Sequence, residues 1–95
     1  MEKAIYKLLI SIPRHGTISG IFVIEKKYMK KLLEEKIEIY LGEVLGKHSE
    51  VYVTVEEDEI VEITDDVTVV EIFENYNLYS GINPFEYVSN DFFEE

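Results

Sequence analysis

Two short glycine-containing segments hold the residue types that most often take part in chemistry. The chain has two histidines, and each lies close to a glycine, in Arg14-His15-Gly16-Thr17 and in Gly46-Lys47-His48-Ser49. Glycine lets the backbone approach a ligand closely, and histidine titrates near neutral pH. If the two turns converge, such a cluster could bind a phosphate or a carboxylate, or do general acid-base work. Its members would be Arg14, His15, Thr17, Lys47, His48 and Ser49, with Glu43 or Glu50.

These residues match no established catalytic or metal-binding motif. His15, His48, Glu43 and Glu50 are metal-ligand types, but their spacing fits no compact ligand motif, so we predict neither a metal nor a cofactor. Ser49 beside His48 does not form a triad, because adjacent strand residues point to opposite sides and no nucleophile elbow surrounds Ser49. Two solvent-facing turn histidines are therefore the simpler interpretation, and an enzyme is the less favoured class.

The elements that would position these turns follow from the hydrophobic pattern. Residues 4–12 and 17–24 are rich in apolar and β-branched residues, and Pro13 with Gly16 marks a turn, so the pair predicts a hairpin. Gly20 is interpreted as a bulge within its second strand. Residues 25–36 place Tyr28, Met29, Leu32 and Leu33 on one face of a helix.

The second half of the chain predicts three further strands and a helix. Alternating residues predict strands over 37–44 and 50–55, and a shorter apolar run predicts another over 60–63. The charged run 56–59 predicts a turn, and residues 64–66 have N-cap character before a helix over 67–76.

The order ββαβββα predicts the α+β class. We expect an antiparallel sheet of about five strands with two helices packed on one face. A chain of 95 residues predicts a single domain over 1–95, with residues 89–95 frayed.

The charge is distributed very unevenly along the chain. Residues 1–47 hold all nine Lys and Arg and six Asp and Glu, a net charge of +3. Residues 48–95 hold fourteen Asp and Glu and no Lys or Arg, a net charge of −14, which brings the total to −11. A field of this sign repels phosphate backbones, so direct nucleic-acid binding is disfavoured, whereas a basic protein partner is attracted. A solvated acidic surface that maintains solubility is the simpler alternative.

The acids of this second half form the candidate partner-binding set. If their side chains share one face, they could imitate a nucleic-acid backbone to a basic groove, whereas no EF-hand loop pattern is present. The set comprises Glu56, Glu57, Asp58, Glu59, Glu62, Asp65, Asp66, Glu71 and Glu74.

The composition also indicates a compartment. The chain has no cysteine, which removes disulfide and thiolate chemistry and fits a reducing environment. The N-terminal apolar run is short and ends at Pro13, so it does not resemble a signal peptide, and no run approaches the ~20 residues of a membrane span. We therefore expect a cytoplasmic protein without a membrane segment.

Three segments resemble a group of small uncharacterised proteins of bacteria and their phages. They are residues 15–20 (HGTISG), residues 42–52 (GEVLGKHSEVY) and residues 80–87 (SGINPFEY). This resemblance implies a phage or mobile-element setting, in which small acidic proteins often inhibit host machinery. It implies no catalytic residue.

Three hypotheses about function follow. The favoured one is a non-enzymatic interaction module that binds a basic host protein through its acidic C-terminal half. The second is a small-ligand-binding module or enzyme that uses the two glycine-histidine turns. The third is a homodimer formed through a sheet edge or the tyrosine-rich tail.

Overall fold

The computed structural model describes residues 2–46 and 50–94. It contains two helices and six strands, which confirms the predicted α+β class with one strand more than the five expected. The strands are β1 (Lys3–Ile12), β2 (Gly16–Glu25), β3 (Glu38–Gly42), β4 (Val51–Thr54), β5 (Ile60–Thr64) and β6 (Ser80–Gly81), and the helices are α1 (Lys26–Glu35) and α2 (Val67–Asn75).

The strands form two antiparallel sheets rather than one. The larger sheet has the order β5-β1-β2-β6, and β3 pairs with β4 in a separate two-stranded sheet. The hairpin of β1 and β2 is the longest pairing and runs from Lys3 opposite Glu25 to Ile12 opposite Gly16. The chain returns from β4 to the far side of β1 as β5, which pairs with residues 5–8 of β1 and contains a bulge.

The larger sheet is covered on both faces, because β1 is apolar on both sides along part of its length. Ala4, Tyr6, Leu8 and Ile10 face the main core, which is closed by α1 and by the β3-β4 sheet. The buried residues that α1 contributes to that core are Met29 and Leu32.

The opposite face carries a smaller apolar cluster. There Ile5 and Val23 of the sheet meet Val70 and Phe73 of α2. The two helices therefore lie on opposite faces of the sheet, whereas the sequence predicted both on one face.

Gly20 is a site of close backbone approach and not a bulge. It pairs with Gly81 of β6, and a Cβ at Gly20 would overlap the carbonyl oxygen of Ile82. A Cβ at Gly81, whose φ is +67°, would overlap the carbonyl oxygen of Ser19. The two glycines thus let β6 join the edge of β2.

The C-terminal segment is anchored where fraying was expected. Residues 90–93 form a 3₁₀ turn, and the Phe92 side chain is buried in the main core beside Tyr28 and Phe85. The Lys31 ammonium donates a hydrogen bond of 2.5 Å to the Phe92 carbonyl oxygen. Aromatic burial at Phe92 is the physical reason that this segment docks on the body.

Candidate functional site

The hairpin tip between β1 and β2 carries the first predicted polar turn. Arg14, His15 and Thr17 are exposed there, and Arg14 has a left-handed backbone with φ 70°. The backbone N–H of His15 donates to the carbonyl oxygen of Ile12 at 3.0 Å, which closes the turn. The turn therefore presents its side chains to solvent.

The second glycine turn is described only in part. The predicted ligands Lys47, His48 and Ser49 lie outside the described residues. The approach to that turn does lie beside the hairpin tip, since a Cβ built on Gly16 would be 3.8 Å from Cδ2 of Leu45. The convergence of the two turns stays a prediction, with the proximity of Leu45 to Gly16 as its structural support.

Glu50, one of the two acids of metal-ligand type near the second turn, has a hydrogen-bond partner. The Glu50 carboxylate accepts a hydrogen bond of 3.2 Å from the Tyr40 hydroxyl, and this negative neighbour raises the Tyr40 pKa above its ordinary value. Over residues 2–46 and 50–94, no group of three or more His, Asp or Glu side chains has metal-binding geometry.

The acidic run before β5 forms a 3₁₀ turn over Glu57–Glu59. Its capping box uses two of the acids: the Glu56 side chain accepts from the backbone of Glu59, and the Glu59 carboxylate accepts from the Glu56 N–H at 2.9 Å. This reciprocal pairing explains how four successive acids form an ordered turn. The remaining two side chains, Glu57 and Asp58, are exposed and take no part in the box.

Two of the acids in and after β5, Glu62 and Asp65, share one lysine. Lys26, the first residue of α1, bonds Asp65 at 2.6 Å and lies 3.7 Å from Glu62. The hydrogen bond with Lys26 and its charge lower the pKa of Asp65 below its ordinary value. Both carboxylates are about half exposed, at 49% for Asp65 and 43% for Glu62, so one cation offsets only part of this negative charge.

The last three acids of the predicted set belong to α2. Asp66 is the N-cap, and its Oδ1 accepts a hydrogen bond from the N–H of Val69 at 3.1 Å. Glu74 pairs with Lys3 at 3.0 Å, and Glu71 is exposed. Because some of these carboxylates already have local roles, the nine acids do not form one uniform row. The group next to β5 is the densest part, and we call residues 56–59, 62, 65 and 66 the acidic flank of β5.

Exposed apolar residues accompany this acidic flank, and sequence reasoning did not single them out as a surface. Val61 and Ile63 of β5 are 59% and 50% exposed. In the sequence, the apolar run of β5 is flanked by acids on both sides. This pattern predicts a short strand but not that its apolar side chains are exposed. Only the strand order shows that this run lies at a sheet edge.

Helix α2 also exposes apolar side chains. Val70 and Phe73 are buried, but Val67 and Tyr76, which share their helical spacing, are 70% and 74% exposed. Val69 and Ile72 are each a little under half exposed. The helix therefore carries apolar residues beyond the face that packs on the sheet.

Comparisons with known proteins found no match to a family model and no significant similarity to a curated protein or to a solved structure. Within the part of the chain that the structure describes, no helix is long and apolar enough to cross a membrane.

Proposed function

We propose that this chain is a non-enzymatic protein-interaction module that binds a basic partner protein through the acidic flank of β5. The observation that carries the proposal is the placement of seven carboxylates in and around one short exposed strand, within residues 56–66. The resemblance to small bacterial and phage proteins supports a finer version, in which the module inhibits a basic host protein in the cytoplasm.

Electrostatics favours this class of partner. A net charge of −11 on a chain of this size repels nucleic acid and steers cationic surfaces toward the molecule. Lys26 and Lys36 each pair with members of the flank, at 2.6 Å to Asp65 and 3.2 Å to Glu56. The seven carboxylates of the flank outnumber these lysines, which favours a local excess of negative charge that a basic partner can neutralise.

A peptide that alternates lysine and valine over about eight residues is a suitable probe, since it exceeds the five-residue length of β5. Calorimetric titration at low salt should show binding, and Kd should increase steeply between about 20 and 200 mM salt because exposed charges are screened over this range. The double variant that combines Glu57→Gln and Asp58→Asn should bind the peptide about fivefold more weakly, because both acids are exposed and lie outside the capping box.

The matched control is Glu86→Gln with Asp91→Asn. It makes the same change of net charge, from −11 to −9, at two exposed acids of the C-terminal segment. If both double variants lower the affinity equally, the peptide responds to total charge and the acidic flank is not the binding site. Absence of binding to the unaltered protein would likewise overturn the proposal.

A further inference from the structure

The outer side of β5 is an open sheet edge. In the described parts of the chain, β5 is the terminal strand of the larger sheet and pairs only with β1. A strand directs its backbone N–H and C=O groups alternately to its two sides, so the side away from β1 presents donors and acceptors that β1 does not pair. Among the β5 amides, the N–H of Ile60 already donates to the carbonyl oxygen of Glu57. The other groups on this side can pair with an added strand.

One face beside this edge carries exposed apolar side chains around one exposed lysine, Lys7. Val61 lies opposite Lys7 of β1, and Leu9 lies on that same face by strand alternation. Leu9 is 52% exposed, so exposed apolar side chains extend inward from Val61 beside Lys7. Ile63 is also exposed and stands at the bulge of β5. A strand added at the edge would extend this face and cover part of it.

The other face beside the edge is acidic. Glu62 lies opposite Tyr6, on the side of the sheet away from Val61. The turn Glu57–Glu59 precedes the strand, and Asp65 follows it directly. An added strand would therefore meet aliphatic side chains on one face and carboxylates on the other and at both ends.

This charge distribution selects between two occupants. A second copy of this chain that paired through β5 would bring two acidic flanks together, and like charges on paired strands are destabilising. Charges on an edge strand also discourage such self-association. A basic strand meets the same carboxylates favourably, so charge complementarity identifies the partner.

We infer that the outer edge of β5 binds an extended basic segment of the partner by β-strand addition. The inference rests on the proposed function and specifies its binding mode. The segment spans about five to seven residues and alternates aliphatic side chains with Lys or Arg. Its aliphatic residues contact Val61 and Ile63, and its cations face Glu62 and the flanking acids.

Backbone methylation of the probe peptide separates strand addition from charge attraction alone. Two peptides of the alternating sequence are prepared. In an extended peptide alternate backbone nitrogens point to the same edge, and each peptide is N-methylated on the nitrogens of a different edge. Methylation removes these donors but leaves every charge in place. At least one should bind about tenfold more weakly than the unmethylated peptide, because an added strand needs its donors on the side facing β5. If both retain their affinity within about twofold while binding still depends on Glu57 and Asp58, strand addition is overturned and the proposed function stands.

Hydrogen exchange of the whole protein locates the contact. Backbone amides of Ile60–Thr64 that exchange rapidly in the free protein should become protected when the unmethylated peptide binds. Protection confined to other segments would contradict the inference. A dimer of the free protein in light scattering would also contradict the inference, if the β5 amides of that dimer are already protected and the peptide does not dissociate the dimer.

The apolar face provides a test through the protein itself. Val61→Thr with Ile63→Thr keeps β-branched side chains at two exposed positions and should weaken peptide binding about fivefold. Val67→Thr is the control for an exposed valine, because Val67 belongs to α2 and is 70% exposed. Equal affinity in the double variant and in the control would overturn the apolar contact that the inference requires.

Discussion

At the scale of single residues, Tyr6 is the tyrosine whose surroundings differ most from water. Its side chain is 5% exposed in the main core, where its ring lies 6.1 Å from that of Phe22. Burial raises the pKa of the Tyr6 phenol above its ordinary value of 10.0, and the negative charge of Glu62 raises it further. Both causes disfavour the phenolate.

This environment predicts a loss of stability in alkaline solution. The native phenol holds its proton more tightly than the unfolded one, so between the two pKa values the unfolded state binds fewer protons. The free energy of unfolding should thus be retained below about pH 10 and should fall as the pH rises beyond it. Denaturant titrations at a series of pH values measure this slope.

Tyr6→Phe isolates the contribution of Tyr6. The raised pKa of Lys3, caused by its hydrogen bond with Glu74, gives a slope of the same sign, so the variant should flatten the pH dependence without abolishing it. An unchanged slope in Tyr6→Phe would show that the buried phenol does not titrate as predicted.

Gly20 shows how a single residue can be located correctly by sequence and given the wrong role. A glycine within a strand indicates either a bulge or a close backbone approach. The choice depends on Gly81 and Ile82, which are about sixty positions away along the chain. No local pattern contains that information.

At the scale of elements, local periodicity predicts what is formed by neighbours in sequence. The β1-β2 hairpin and α1 are predicted within one or two residues of their ends, because Pro13 and Gly16 mark the turn and Tyr28, Met29, Leu32 and Leu33 repeat with helical spacing. The β3-β4 pairing follows from the same kind of signal.

Local periodicity does not determine which face of the sheet each helix covers. Ala4, Ile5 and Tyr6 are all buried in β1, so that strand offers apolar surface to both sides. Helix α2 packs on Ile5 and Val23 because β5 delivers the chain to that face. This arrangement depends on the strand order, which the sequence pattern leaves open.

The N-cap of α2 gives a prediction at this scale. Asp66→Ala removes the acceptor for the Val69 N–H and should lower the free energy of unfolding by about 1 kcal/mol. Helix α2 is rich in β-branched residues, whose helix propensity is low, so it depends on this cap, whereas the N-cap of α1, Glu25, makes no side-chain capping bond. Denaturant titration measures the loss.

Asp66→Asn is the matched variant, because the Asn side chain caps helices about as well as Asp. It should retain most of the stability while removing the charge. If Asp66→Asn is as destabilised as Asp66→Ala, the carboxylate charge and not the hydrogen bond is responsible.

At the scale of the whole molecule, the sequence shows that carboxylates are concentrated but not which of them stand together. Glu62 and Glu74 are both in the acidic half of the chain. Glu62 lies on the edge strand β5, whereas Glu74 belongs to α2 and pairs with Lys3 of β1. The sequence therefore predicts the negative charge of the candidate site, whereas the open sheet edge is known only from the strand order.

The unbalanced charge predicts that moderate salt stabilises the fold. At about 10 mM salt the screening length is about 30 Å, which is comparable with the 41 × 29 × 23 Å extent of the molecule. Repulsion among the twenty acids then acts across the whole chain, while the exposed ion pairs that salt weakens contribute only about 0–1 kcal/mol each. Raising salt to about 150 mM shortens the screening length to about 8 Å. The destabilising energy of the repulsion should then decrease by more than the stabilising energy of the ion pairs. Tm should rise by about 5 °C, which corresponds to about 1 kcal/mol in a domain of this size.

Thermal unfolding followed by circular dichroism measures this shift, with sodium chloride as the only variable. The double variant Glu57→Gln with Asp58→Asn should have a higher Tm than the unaltered protein at low salt and a smaller response to added salt, because two charges of the dense flank are gone. A Tm that falls as salt rises would mean that the ion pairs of Lys3, Lys26 and Lys36 outweigh the repulsion. The acidic flank would then be largely neutralised within the molecule, and its attraction for a basic partner would be correspondingly weak.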